Sequence, residues 1–84
     1  MTDVERVLAR ALMEIVVSLD LSDDDEIDPD VATGILEPVA ALLQNAPAED
    51  RQAIVRLFTE CAEEETDATR RLTALDLPDA FGIR

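Results

Sequence analysis

Residues 4–19 read V-E-R-V-L-A-R-A-L-M-E-I-V-V-S-L, and this stretch decides the fold. Val4, Val7, Leu8, Ala11, Leu12, Ile15, Val16 and Leu19 recur at helical spacing. At about 100° per residue they cover an arc of roughly 180°. The spacing predicts an amphipathic helix over residues 3–19, entered through the capping pair Thr2 and Glu5. Met13 and Val17 fall outside the arc, on its far side. They are the candidates for a second apolar surface, through which the chain would self-associate.

Downstream, residues 20–30 read D-L-S-D-D-D-E-I-D-P-D, seven acids and no base in eleven positions. Self-repulsion and turn-forming residue types predict a loop over about 20–28. Asp28 is an expected N-cap, and Pro29 suits the first position of a helix. That second helix carries Val31, Ile35, Leu36, Val39, Leu42 and Leu43. Pro38 would clash with the carbonyl of Gly34, which predicts a kink or a break. A second loop falls at 45–47, with Pro47 expected as the first residue of a third helix. Ile54, Val55, Leu57, Phe58, Cys61 and Ala62 form a broad stripe on it. Its end, E-C-A-E-E-E-T-D over residues 60–67, is acidic where the helix dipole favours positive charge. Either fraying or a compensating partner is expected there. After a loop at about 65–67, Asp67 caps a shorter fourth helix through Leu72 and Leu75, which Pro78 is expected to end. Phe81 and Ile83 are expected to fold back onto the helices. No strand-like alternation competes anywhere.

The fold class is therefore all-α: one domain over residues 1–84, a small antiparallel bundle of three long helices plus a short C-terminal one. Leu8, Leu12, Ile15, Leu36, Leu43, Ile54, Phe58 and Leu72 are its expected core. A chain of 84 residues and 9.2 kDa buries only roughly 60–65% of its unfolded surface, and small folds of this kind are commonly stabilised by association. A homodimer or a hetero-partner is therefore expected.

Composition excludes several function classes. The 20 acidic and 7 basic residues give a net charge of −13, which argues against binding phosphates or anionic lipid and favours a basic protein partner. Apolar runs are too short for a membrane span. No basic, apolar leader pattern opens the chain, and a lone Cys forms no internal disulfide, so a cytoplasmic location is expected. The chain holds no His, Lys, Tyr or Trp. Nothing supplies an imidazole base or a Schiff-base amine, and Cys61 lies among acids on an apolar stripe, which raises a thiol pKa. The reading is a non-enzyme without cofactor.

Two binding templates fail on their residues. Counting an EF-hand from Asp20 puts Asp25 where the loop glycine belongs and Val31 where the bidentate glutamate belongs, so no metal site is assigned. An acyl carrier needs a serine in an Asp-Ser-Leu context opening helix two. Ser18 follows Val17, and Ser22 precedes Asp23.

The remaining acidic feature is a pair of clusters, residues 20–30 and 60–67, which hold twelve of the twenty acids. In a strictly up-and-down bundle both would meet at one end. The candidate partner-binding residues are Asp23, Asp24, Asp25, Glu26, Glu63 and Glu64.

The stretches S-L-D-L-S-D-D-D-E-I-D-P-D-V-A, L-E-P-V-A-A-L-L-Q, P-A-E-D-R and L-P-D-A-F-G-I resemble a group of short acidic helical actinobacterial proteins of unassigned function. These motifs are caps, turns and core positions, and they carry over no functional residue. In size, charge and helix count the chain is also similar, by class alone, to the immunity proteins of bacterial DNase toxins. The tyrosine pair that anchors those inhibitors is absent here. The two acidic clusters, expected at one end, point to a non-enzymatic protein that inhibits or escorts a basic protein, of the immunity or antitoxin type. The alternative is an assembly subunit that works through apolar helix faces as a homo-oligomer.

Overall fold

The caps set the element boundaries. In the computed structural model, which describes residues 3–84, the chain forms α1 (Asp3–Asp20), α2 (Pro29–Gln44), α3 (Ala48–Glu63) and α4 (Ala68–Ala80), with no strand among the described residues. The molecule is the all-helical bundle of three long helices and a shorter C-terminal one. Thr2, half of the expected capping pair, lies outside the described residues. The Asp28 carboxylate accepts from the Asp30 N–H at 2.8 Å and opens α2. The Asp67 carboxylate accepts from the Arg70 N–H at 2.9 Å and opens α4. Each satisfies a first-turn donor that the helix itself leaves unpaired. Pro47 stands one residue earlier than expected, as the residue before α3, with no side-chain cap bond.

Neither internal proline breaks its helix. α2 runs unbroken through Pro38. The carbonyl that Pro38 deprives of a partner belongs to Gly34, which is exposed, with nothing within 4 Å of where its Cβ would stand. Water can satisfy that carbonyl, so the missing bond costs little. α4 runs through the buried Pro78 and continues to Ala80. The following turn is held by Phe81 N–H to Leu77 O at 2.8 Å and Ile83 N–H to Pro78 O at 3.0 Å.

The helices are ordered by their cross-contacts. Glu60, late in α3, pairs with Arg6, early in α1, so these two helices run antiparallel. α3 and α4 form a hairpin that brings Ile83 back to Ala48 and Val55. α4 runs alongside α1 in the same direction. Arg70 meets Glu14 near its start, and Leu77, Ala80 and Phe81 adjoin Val16 and Asp20 at its end. α2 lies across the far end of this trio. Its Leu36 and Ala40 face Val16 and Leu77, and the Gln44 side-chain amide donates to the Phe81 carbonyl at 2.6 Å.

The core is Ala9, Met13, Val16, Val17, Phe58, Cys61, Ala62, Ala74, Leu77, Phe81 and Ile83, with Leu12, Leu36, Leu43 and Ile54 half-buried against it. Phe58, Phe81 and Ile83 are thus where the sequence puts them. The register of α1 is not. Met13 is 6% and Val17 2% exposed, whereas Leu8 is 64% and Ile15 59% exposed. Met13 and Val17 form no outer surface, and Leu8, Ile15 and the 68% exposed Leu72 do not belong to the core. α1 is apolar on both sides, and the side of Ala9, Met13, Val16 and Val17 is the one turned inward. There Ala62 and Ala74, fully or almost fully buried, let the helices approach closely. Arg6 and Arg10 flank the same side and reach acids at the end of α3.

Gly82 closes the bundle at φ +72°, and a Cβ there would stand 3.0 Å from the Gln44 amide nitrogen. Gly82→Ala combines a left-handed backbone penalty with displacement of the Gln44–Phe81 hydrogen bond. It is expected to lower the unfolding free energy by about 1–2 kcal/mol, read by urea denaturation. An unchanged midpoint would show that the turn is not strained by a side chain.

Candidate protein-binding surfaces

Loop 21–28 is ordered by its own backbone. Glu26 N–H and Ile27 N–H both bond to the Asp23 carbonyl, at 2.9 and 3.0 Å, and the Glu26 carboxylate reaches back to the Asp23 N–H at 3.3 Å. This reciprocal arrangement resembles a capping box around a single turn. The Ser22 hydroxyl donates to the Ser18 carbonyl at 2.6 Å and ties the loop to α1. Ile27 is half-buried and borders a hollow shared with Leu19, Pro29 and Leu36. With Ile27 turned in, the loop holds Asp23, Asp24, Asp25 and Glu26 out in water. Among the described residues no arginine pairs with an acid of 20–30. No group of three or more Cys, Asp or Glu among the described residues converges there as a metal cage would.

The second cluster differs. Arg6 pairs with Glu60 at 2.9 Å and, more closely, with Glu64; Arg10 pairs with Glu64 at 2.9 Å. Arg70 lies 3.7 Å from Glu65 and 2.9 Å from Glu14. The charge that opposes the α3 dipole is therefore compensated within the chain. Glu64 in turn raises the Arg6 guanidinium above its ordinary pKa. These pairs range from half-buried to exposed and contribute little individually. Glu63 is exposed beside them.

The two clusters do not meet. Arg10, which holds Glu64, stands ten residues before Asp20, about 15 Å along the helix axis. The reason is α2. It crosses the far end of the bundle instead of returning along α1, so α3 starts at the end where α1 finishes and runs to the opposite end. Asp23, Asp24, Asp25 and Glu26 are brought together; Glu63 and Glu64 are separated from them.

Cys61 is 1% exposed, and burial is the main cause that pushes its thiol pKa up. It is a packed core residue, shielded from reagents and little ionised. Arg51, Arg56 and Arg84 border a groove of about 430 Å³ at the start of α3. Arg51 is already turned to the carbonyls of Ala46 and Gln44, at 2.7 and 3.2 Å, and Arg84 stands 3.6 Å from Asp79. No sequence spacing announces this grouping, because Arg84 arrives only through the folding-back of the C-terminal turn.

A further surface is apolar. On α1, Val4, Leu8, Ala11 and Ile15 are exposed in a row; on α2, Val31, Ile35, Pro38 and Leu42 are exposed in another. α2 buries no residue completely. The signal for these rows was present in the sequence: eleven of the eighteen residues of α1 are apolar, more than one face of a surface helix requires.

No family model, curated protein or solved structure matches the chain.

Proposed function

We propose that this protein acts by binding a basic protein, without catalysis, and that it inhibits or escorts that partner. The observation that carries the reading is loop 20–30. Seven acids stand there on an ordered turn, none paired with an arginine among the described residues, in a chain of net charge −13. Such a concentration of uncompensated charge attracts a cationic surface over a Debye length and accelerates encounter by roughly 10–10³-fold. It also presents carboxylates where a nucleic-acid-binding protein expects phosphates. Asp23, Asp24, Asp25 and Glu26 are the contact residues of this reading. Glu64 already has two arginines as counter-charge, and Glu63 lies at the other end. The absence of His, Lys and Tyr and the burial of Cys61 favour binding over chemistry.

The test pairs two baits on lysate of the native host at low salt: the wild type and a variant with Asp24→Lys, Asp25→Lys and Glu26→Lys. The expected result is a basic protein retained by the wild type, released as salt rises, and lost from the variant. The same proteins on both baits would reject the reading. The exposed apolar rows favour a second reading, association of the chain with itself, and it concerns a different surface.

A further inference from the structure

The two exposed apolar rows share one geometry. Val4, Leu8, Ala11 and Ile15 are spaced four, three and four residues apart, and so are Val31, Ile35, Pro38 and Leu42. This is the alternation of a helix–helix seam with a 3.5-residue repeat. Each row runs about 16 Å along its helix. Six of the eight residues are large, and they are between 47% and 75% exposed. None of the eight is charged.

We propose that these two seams are buried against a second copy of this chain, in a two-fold dimer. Three observations select that occupant. The first is area. A folded monomer of 9.2 kDa exposes roughly 4,900 Å², and this chain exposes 5462 Å². The excess, about 500 Å², is more than half of the roughly 800 Å² that each partner contributes to a standard interface. The radius of gyration agrees: 12.7 Å against about 11.9 Å for a compact chain of this length.

The second observation is the duplication itself. A two-fold interface presents the same surface from both sides, so each contact occurs twice. A chain that carries two seams of equal length and spacing offers a matching seam for each of its own. A single foreign helix fills only one. The third is charge. Twelve of the twenty acids lie in residues 20–30 and 60–67 and none occupies a seam position; Glu5 and Glu14 on α1 and Asp30 and Glu37 on α2 flank the seams, so most of the charge of each copy lies outside the contact. Repulsion between the copies acts at longer range and is weakened by salt.

That last point separates this dimer from the basic-partner reading. Salt strengthens association of two like-charged copies and weakens capture of an oppositely charged protein. Either proposal can therefore fail alone.

The experiment is sedimentation equilibrium of the full chain over a wide dilution series, at low and at high salt. The expected result is a monomer–dimer equilibrium whose Kd falls as salt rises. Leu8→Glu and Ile35→Glu, one in each seam, are each expected to raise the Kd at least roughly 30-fold, with helical circular dichroism retained. Leu42→Ser, at the most exposed seam position, reports the same loss without a new charge. A single 9.2-kDa species at all concentrations and both salts would overturn the proposal. So would an assembly larger than two, or a dimer whose Kd none of the three substitutions moves.

Discussion

Met13→Glu is expected to unfold the protein, whereas Leu8→Glu, five positions earlier on the same helix, leaves the monomer as stable as before. Met13 is 6% exposed, in contact with the core of α1, α3 and α4; Leu8 is 64% exposed. An ionised carboxylate at Met13 either stays charged without a partner or takes up a proton. Both cost several kcal/mol, on top of the lost apolar burial of about 2 kcal/mol. A domain of this size has a total stability of roughly 4–13 kcal/mol. The Met13 variant is expected to lose most of it. The Leu8 variant is expected within about 0.5 kcal/mol of wild type, measured by urea denaturation in dilute solution, where self-association does not contribute. The opposite ranking would show that α1 is turned by half a revolution from the arrangement described above.

Phe58→Ala is the second large effect, with an expected loss of about 3–5 kcal/mol. Phe58 is 2% exposed and Phe81 5%, and these are the only aromatic side chains of the protein. The rest of the core is aliphatic, with three alanines, and has little spare volume to fill the vacancy. The bundle would remain helical but unfold at a much lower urea concentration. A loss below about 1 kcal/mol would mean that the surrounding helices collapse onto the space, contrary to close packing of α1 against α3.

The caps and turn residues were legible, because they act locally. Asp28-Pro29 and Asp67 begin helices where their chemistry says, and Asn45-Ala46-Pro47 separates two. Phe58, Phe81 and Ile83 were legible as core because few other residues of their size were present in their segments. The inner face of α1 was legible only in part: Leu12 and Val16 lie on the expected arc, whereas Ala9, Met13 and Val17 do not. Both of its faces are apolar, and a periodicity argument favours the one with more bulk, Val4-Leu8-Ile15. Packing favours the one that lets Ala9, Ala62 and Ala74 bring three helices together and lets Arg6 and Arg10 reach Glu60 and Glu64. Those gains depend on residues more than fifty positions away, which no local window contains. The separation of the two acidic clusters was hidden for a similar reason. An eight-residue connection between α1 and α2 permits α2 to return along α1 or to cross its end, and in the fold α2 lies against both Val16 and Asp20 of α1 and Leu77 and Ala80 of α4. The acidic loop was readable as a surface, and its compensated counterpart was misjudged because the arginines that pair with it are distant in sequence.

The crossing helix α2 has a consequence for how the molecule opens. It is held by the half-buried Leu36, Val39, Ala40 and Leu43, by the Gln44–Phe81 hydrogen bond, and by the Arg51 bonds to the carbonyls that follow it. It is joined to the rest through two loops and contributes no fully buried residue. The free energy needed to lift it is therefore a fraction of that needed to separate α1, α3 and α4. Its amides are expected to exchange with solvent through detachment of this one helix, ahead of the amides of the other three. Hydrogen exchange is therefore expected to divide the protein into a slow-exchanging three-helix unit and a fourth helix that opens on its own, carrying one of the two exposed apolar seams with it.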